Sequence, residues 1–406
     1  MNQVRLVISV GFILLLTGWS QLLSQGQYNL TLIGRLSFPA SPAGCWNTDT
    51  TGGSDVWGYT APDGSEYALM GVKDGVAIVK VPELTVIDIV PGPASGDCWF
   101  HRDIKTYGHY AYVVAEMLGT NQGLMIIDLQ YLPDSVRFVG SYVHGNDIRS
   151  HNLSIDVNRG FAYICKQNYS GFRIVDLADP ENPVEVTTVN TGDIHDVYAR
   201  NDTVWVAEGY QGSYSIWDVS NKNAPVMLTR FSPAGAGYAH NIWASDDGRH
   251  VMTTEETTGR TIKVWNVEDM NNVTLEGNYL GDNLLAHNTH WMGNLAVISH
   301  YSYGIVVLDV SNPSQPTEVA HFDTYPLNDA PGFWGCWGAY PFTSNGYIYA
   351  SDINSYLTVL HLEQNPTGIT TQPTTPEGLF LAQNYPNPFN PSTRIAYHLP
   401  EGNQVT

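Results

Sequence analysis

Gly171-Phe172-Arg173-Ile174-Val175-Asp176-Leu177, followed by Asp179-Pro180-Glu181-Asn182-Pro183, is the stretch whose reading decides the fold. Its aromatic and β-branched residues run into Asp and Pro, the pattern of a strand that ends in a tight turn. Six relatives occur at 75–81 (GVAIVKV), 123–129 (GLMIIDL), 214–219 (YSIWDV), 261–267 (TIKVWNV), 304–310 (GIVVLDV) and 356–362 (YLTVLHL). The position of Asp176 falls at 80, 128, 176, 218, 266, 309 and 361, so successive copies are 48, 48, 42, 48, 43 and 52 residues apart. Such a period suits a four-stranded propeller blade, and the 3.6-residue periodicity of a helical repeat is missing.

Working outward, each signature strand is followed, after its Asp-Pro turn, by a further strand at 84–90, 136–143, 184–190, 226–232, 273–280 and 317–323. The seventh copy has no such follower, because the chain turns polar after Leu362. The segment 30–36 carries the same pattern and is expected to pair beside 356–362. Ahead of each signature strand lie a second strand and an inner strand, separated by turns such as Asp246-Asp247-Gly248 and Ser344-Asn345-Gly346. The expectation is an all-β chain: a seven-bladed β-propeller over 29–362, closed by an N-terminal outer strand. Closure would remove the open sheet edges that invite aggregation. A Thr-, Pro- and Gln-rich linker follows at 363–376, and a truncated small β unit begins at 377–406.

The chain carries 18 Lys and Arg against 39 Asp and Glu, a formal net charge of −21. That balance argues against nucleic-acid or anionic-membrane partners, which are bound through Lys and Arg contacts to phosphate. At the N-terminus Arg5 precedes an apolar run from Leu6 to Trp19 and then polar residues to Gln25, the layout of a secretory signal peptide over 1–25. The run is too short for a comfortable membrane span, so no transmembrane segment is expected in the mature chain. Export permits disulfides. One bridge among Cys45, Cys98 and Cys336 is expected, with its pairing open, whereas Cys165 reads as a buried small residue in its strand.

Asp55-Val56-Trp57-Gly58-Tyr59, the 102–108 run Arg-Asp-Ile-Lys-Thr-Tyr-Gly, Ser150-His151-Asn152, Tyr340-Pro341-Phe342 and Ser351-Asp352-Ile353 occur in succession among the repeats. In this the chain resembles the choice-of-anchor B family of secreted LVIVD-repeat propellers. The resemblance implies a seven-bladed propeller with a variable C-terminal anchor and brings no assigned activity. The run from Gln383 to Thr393 is similar to the start of the C-terminal sorting domain of type IX secretion. It implies recognition by the secretion machinery through leader and tail, and a secreted or outer-surface location. An Ig-like tail domain that opens in the same way is the alternative.

Aligning the inner strands sets Ser54-Asp55, Arg102-Asp103, His151-Asn152, His195-Asp196, His240-Asn241 and His287-Asn288 in register, with His101 and His290 nearby. Four successive blades therefore place an imidazole at one level of the central channel. One reading is a divalent metal or ligand site, with His151, His195, His240 and His287 as ligands and Glu208 or Glu255 as the acidic partner or general base. Glu116, Asp352 and His300 stand at similar places. The other reading is structural: each ring bonds backbone or a neighbouring Asp or Asn and pins its strand. Trp57, Trp99, Trp243, Trp291, Trp334 and Trp337 lie near the strand ends, suited to stacking on a sugar and equally to packing between blades. No Gly-x-Ser-x-Gly elbow, phosphate loop or Cys-x-x-Cys pair occurs. The function expected is a binding module for a protein, glycan or small ligand, the alternative a metal-dependent propeller enzyme.

Overall fold

The computed structural model describes residues 27–41, 50–94, 100–143, 148–165, 170–281, 284–328 and 330–363, together with 380–381 and 397–398. Seven antiparallel sheets follow one another along the chain, and among the described residues there is no helix. The seven signature stretches form the third strands: Gly75–Val81, Leu124–Asp128, Gly171–Asp176, Tyr214–Asp218, Ile262–Asn266, Ile305–Asp309 and Tyr356–Leu362. Each is sandwiched between a second and an outer strand, and its apolar residues are buried almost completely, as at Ile78, Ile126, Ile174, Ile216, Val264, Val307 and Val359. Burying one such side chain stabilises the fold by about 1.5–3 kcal/mol, which accounts for the apolar character of every copy.

The repeated Asp or Asn at the end of the signature has a local task. Asp176 Oδ1 accepts the amide of Ala178 at 2.8 Å, Asp218 that of Ser220 at 2.8 Å, and Asp309 that of Ser311 at 2.9 Å. Asn266 accepts the amide of Glu268 at 3.1 Å. A side chain that takes the amide two residues on closes the turn that the sequence pattern predicts. Beyond the turn, every outer strand carries a register shift against its third strand, for instance between Ile174 and Val175 in blade 3 or between Val307 and Leu308 in blade 6. An extra residue in each outer strand raises the local twist and blunts the blade rim as a pairing edge.

Leu30–Ser37 is the outer strand of blade 7, pairing with Tyr356–Leu362 from Leu30 against Leu362 to Ser37 against Tyr356. The ring is thereby closed, as the sequence predicts. One addition was not foreseen: Gln27–Tyr28 pairs with His321 and Phe322 and gives blade 6 a fifth strand. Phe380–Leu381 pairs with Tyr397–His398. The leader at 1–25, Cys45, Cys98 and Trp99, the linker at 364–376 and most of 377–406 lie outside the described residues. Cys336 is a buried free thiol, as is Cys165, which removes Cys336 from the expected bridge.

Candidate functional site

The inner strands run Val56–Thr60, Arg102–Tyr107, Leu153–Asp156, Asp196–Arg200, Ala239–Ala244, Asn288–Met292 and Cys336–Tyr340. Just ahead of or within their first residues lie five imidazoles and one indole that form a closed collar. Ring centroids are 4.0 Å apart for His101 and His151, 4.1 Å for His151 and His195, and 4.2 Å for His195 and His240. His240 and His287 are 4.3 Å apart, His287 and Trp337 4.4 Å, and Trp337 returns to His101 at 5.6 Å. His151, His195, His240 and His287 are thus brought together. His101 joins them in place of Arg102, which the sequence register sets at this level. Arg102 pairs regularly with Ala115 and sends its guanidinium between blades 1 and 2 to the carbonyls of Val72 (2.5 Å) and Pro93.

Beneath the collar, Asp or Asn side chains near the start of four inner strands stitch one blade to the next. The amide of Ile104 donates to Asp55 Oδ2 (3.2 Å), that of Leu153 to Asp103 Oδ2 (2.6 Å), that of Val197 to Asn152 Oδ1 (3.1 Å) and that of Thr289 to Asn241 Oδ1 (3.0 Å). Gly338 takes this place in blade 7, where a Cβ would lie 2.8 Å from Asp55 Oδ1 and 3.0 Å from the amide nitrogen of Val56. Lys105 bridges Asp55 (3.3 Å) and Asp103 (2.5 Å). Between collar and stitching layer is a cavity of about 20 Å³, enough for one water-sized occupant.

The imidazoles divide their labour between nitrogens. His195 Nδ1 lies 3.1 Å from the carbonyl of His240 and His287 Nδ1 2.5 Å from that of Trp337. A carbonyl only accepts, so these Nδ1 atoms carry the proton and each Nε2 is left as a bare acceptor. Thr254 Oγ1 also donates to the carbonyl of His287 (2.5 Å), and Ser299 Oγ to that of Trp337 (2.9 Å). The structural reading therefore describes Nδ1 of His195 and His287, while Nε2 of His287 has no hydrogen-bond partner and neither does Nδ1 of His240. Burial, reinforced by neighbouring imidazoles, drives the pKa of His195 and His240 well below the usual value. Burial likewise takes His101 and His287 down to about 3. His151 differs. Its Nδ1 contacts Glu116 Oε1 at 3.0 Å, and although burial opposes charge, that carboxylate carries its pKa upward.

Glu208 and Glu255 face away from the collar. Arg230 donates to both oxygens of Glu208 at 2.8 and 2.9 Å, with Ser215 at 2.7 Å, and Lys263 pairs with Glu255. Asp352 at the matching place of blade 7 meets Arg35 at 2.8 Å, and His300 packs against Tyr303. The acids that reach the collar are Glu116 and, one residue beyond Glu255, Glu256, which sequence reasoning passed over. Glu256 Oε1 is 3.9 Å from His240 Nε2 and accepts the Tyr301 hydroxyl. Burial raises the Glu256 pKa to about 7. Two groups offer ligand atoms within 4.8 Å of one another: His101, Glu116 and His151, and His240, Glu256 and His287.

At the far end of the inner strands a second cavity of about 60 Å³ is walled by Trp57, Tyr198, Trp243, Tyr340 and Phe342, with Lys105, Ser154 and Arg200 among its lining. Tyr198 stacks on Trp243 at 3.9 Å, Trp243 on Phe342 at 5.7 Å, and Lys105 Nζ sits 4.4 Å over the Trp57 ring. Of the other tryptophans, Trp291 donates to the carbonyl of Gly293 (2.8 Å) and Trp334 to that of Ala330 (2.8 Å).

Residues 101–142, 151–191 and 288–324 match the LVIVD repeat. The chain carries LVIVD repeats. They fall on blades 2, 3 and 6, so the repeat unit and the blade coincide. Among solved structures, the one titled "Structure of U3-55K" is similar over 77% of this chain and 96% of that chain, with a TM-score of 0.55 and 12% sequence identity, a likeness of fold alone. No curated protein matches the sequence.

Proposed function

We propose that this LVIVD-repeat propeller is an exported binding module that takes a small neutral ring ligand, a sugar unit by class, in the aromatic cavity of its channel. The cavity carries the reading. Its volume of about 60 Å³ corresponds to roughly four to six waters, the space of one ring. Trp57, Tyr198, Trp243, Tyr340 and Phe342 wall it with apolar ring surface, of the kind against which the CH face of a sugar packs. Ser154, Lys105 and Arg200 supply hydrogen-bonding groups beside them. A neutral ligand suits the pairing of the cavity's cations: Lys105 is offset by Asp55 and Asp103, and Arg200 lies 3.8 Å from Asp246. Export is supported by the leader at 1–25, the sorting-like run from Gln383 to Thr393 and the resemblance to the choice-of-anchor B family.

Titration with a panel of neutral mono- and disaccharides, followed by indole fluorescence, tests the ligand. A saturable response weakened about tenfold or more in a folded Trp243→Ala variant is expected, in line with the loss of one stacking surface. A panel without saturable response, or an unchanged response in the variant, rejects the ligand class. Fractionation of expressing cells with N-terminal sequencing tests the location, and unprocessed protein retained in the cytoplasm would reject export.

A further inference from the structure

We infer that the collar holds one first-row divalent transition ion of the zinc or copper class, bound by His240 Nε2, His287 Nε2 and Glu256, with a further coordination position open to water. The inference is independent of the sugar cavity at the other end of the channel.

Four observations carry it. The first is an unsatisfied acceptor: His287 is 2% exposed, its Nδ1 is committed to Trp337, and its Nε2 has no hydrogen-bond partner. A buried polar atom left unpaired costs about 1–3 kcal/mol, and an ion at that point removes the cost. The second is convergence. The three ligand atoms lie within 4.8 Å of one another, and the 3.9 Å between His240 Nε2 and Glu256 needs to close by about 0.6 Å to match a tetrahedral ion with bonds of about 2.0–2.1 Å.

The third is the supporting shell. The carbonyl of Trp337 fixes the tautomer and orientation of His287, and the Tyr301 hydroxyl holds Glu256, which is how ligands of metal sites are oriented. The fourth is size and donor type. His240 and His287 also line the cavity of about 20 Å³ beneath the collar, which gives a water-sized group access to the two rings, and two imidazoles with one carboxylate favour zinc, copper, nickel or cobalt over calcium and magnesium. The opposite group is less open, since His151 Nδ1 and Glu116 already satisfy each other.

The test uses the full-length chain, purified with chelator and then dialysed free of it. Zinc is titrated calorimetrically, and cobalt, as a spectroscopic substitute, is followed by its ligand-field absorption. One equivalent is expected, with a tetrahedral or five-coordinate cobalt spectrum. The isosteric Glu256→Gln change should weaken binding by about tenfold or more, and His287→Gln should abolish the cobalt band. His151→Gln, and His109→Gln at a half-buried ring beside Asp128, should leave both unchanged. Circular dichroism and thermal melting of the metal-free variants establish that each is folded. Absence of stoichiometric binding overturns the inference, as does loss of binding in folded His151→Gln with retention in folded Glu256→Gln.

Discussion

His290 offers a measurement of how strongly the channel rejects charge. The ring is buried between Trp243 at 4.7 Å, Phe342 at 5.9 Å and Trp57 at 6.2 Å. Burial, aided by the nearby Lys105 ammonium, takes its pKa from 6.5 down to about 3. In the unfolded chain the same ring titrates near 6.5, so below that pH the unfolded state binds the proton that the folded state refuses. The stabilising contribution of the neutral ring is present above about pH 6.5 and is lost progressively as pH falls toward about 3. At pH 5 the loss is RT ln(1 + 10^1.5), about 2 kcal/mol, against less than about 0.1 kcal/mol at pH 7.5.

The whole protein's pH profile would blur this. Burial raises Asp196 and Glu256 to about 7 and Asp352 to about 6, and their contributions run in the opposite direction, strengthening as the pH drops through those values. Comparing His290→Gln with the parent cancels them. Urea unfolding at pH 7.5 and pH 5.0 should show the variant losing about 2 kcal/mol less than the parent on acidification. At the 334 residues of 29–362 that is a shift of about 3 °C in melting temperature. Equal losses for the two proteins would refute the reasoning and mean that His290 takes its proton inside the fold.

Three further outcomes are expected. Lys105→Met should destabilise by about 3–5 kcal/mol in urea unfolding, because it leaves the buried Asp103 carboxylate and the adjoining Asp55 without their cation, and adding Asp103→Asn should recover part of that. Deleting the chain through Ser37 should leave Tyr356–Leu362 with an unpaired edge and shift the protein toward aggregate relative to the parent on size-exclusion chromatography. Asp176→Ala, which removes the acceptor for the Ala178 amide, should cost about 1 kcal/mol of stability with the blade otherwise intact by circular dichroism.

Much of the fold is legible in the strands themselves. The recurring apolar run gives the third strand, and its terminal Asp or Asn gives the turn, because both depend on residues near one another in the chain. The closing strand at Leu30–Ser37 could be found since it repeats the outer-strand pattern at the one place where a copy was lacking. The histidine column was visible for the same reason. Which acids meet it was not. Adjacent residues of extended chain point to opposite sides, so a shift of one position at a strand end exchanges a group that reaches the collar for one that does not. Glu255 turns to Lys263 while Glu256 turns to His240, and the regular pairing of Arg102 with Ala115 sends Arg102 out and lets His101 into the collar.

The sequence by itself determined the number of blades, the strand order within each and the circular closure, since a repeat writes its unit once per copy and these features depend on pattern alone. Only the tertiary structure decided which nitrogen of each imidazole faces the channel, that Trp337 completes the collar and that Glu256 joins it. Those outcomes depend on contacts between residues well separated in the chain, from His240 with Glu256 to His195 with His240 and His287 with Trp337. Local pattern carries no information about distances across a closed ring.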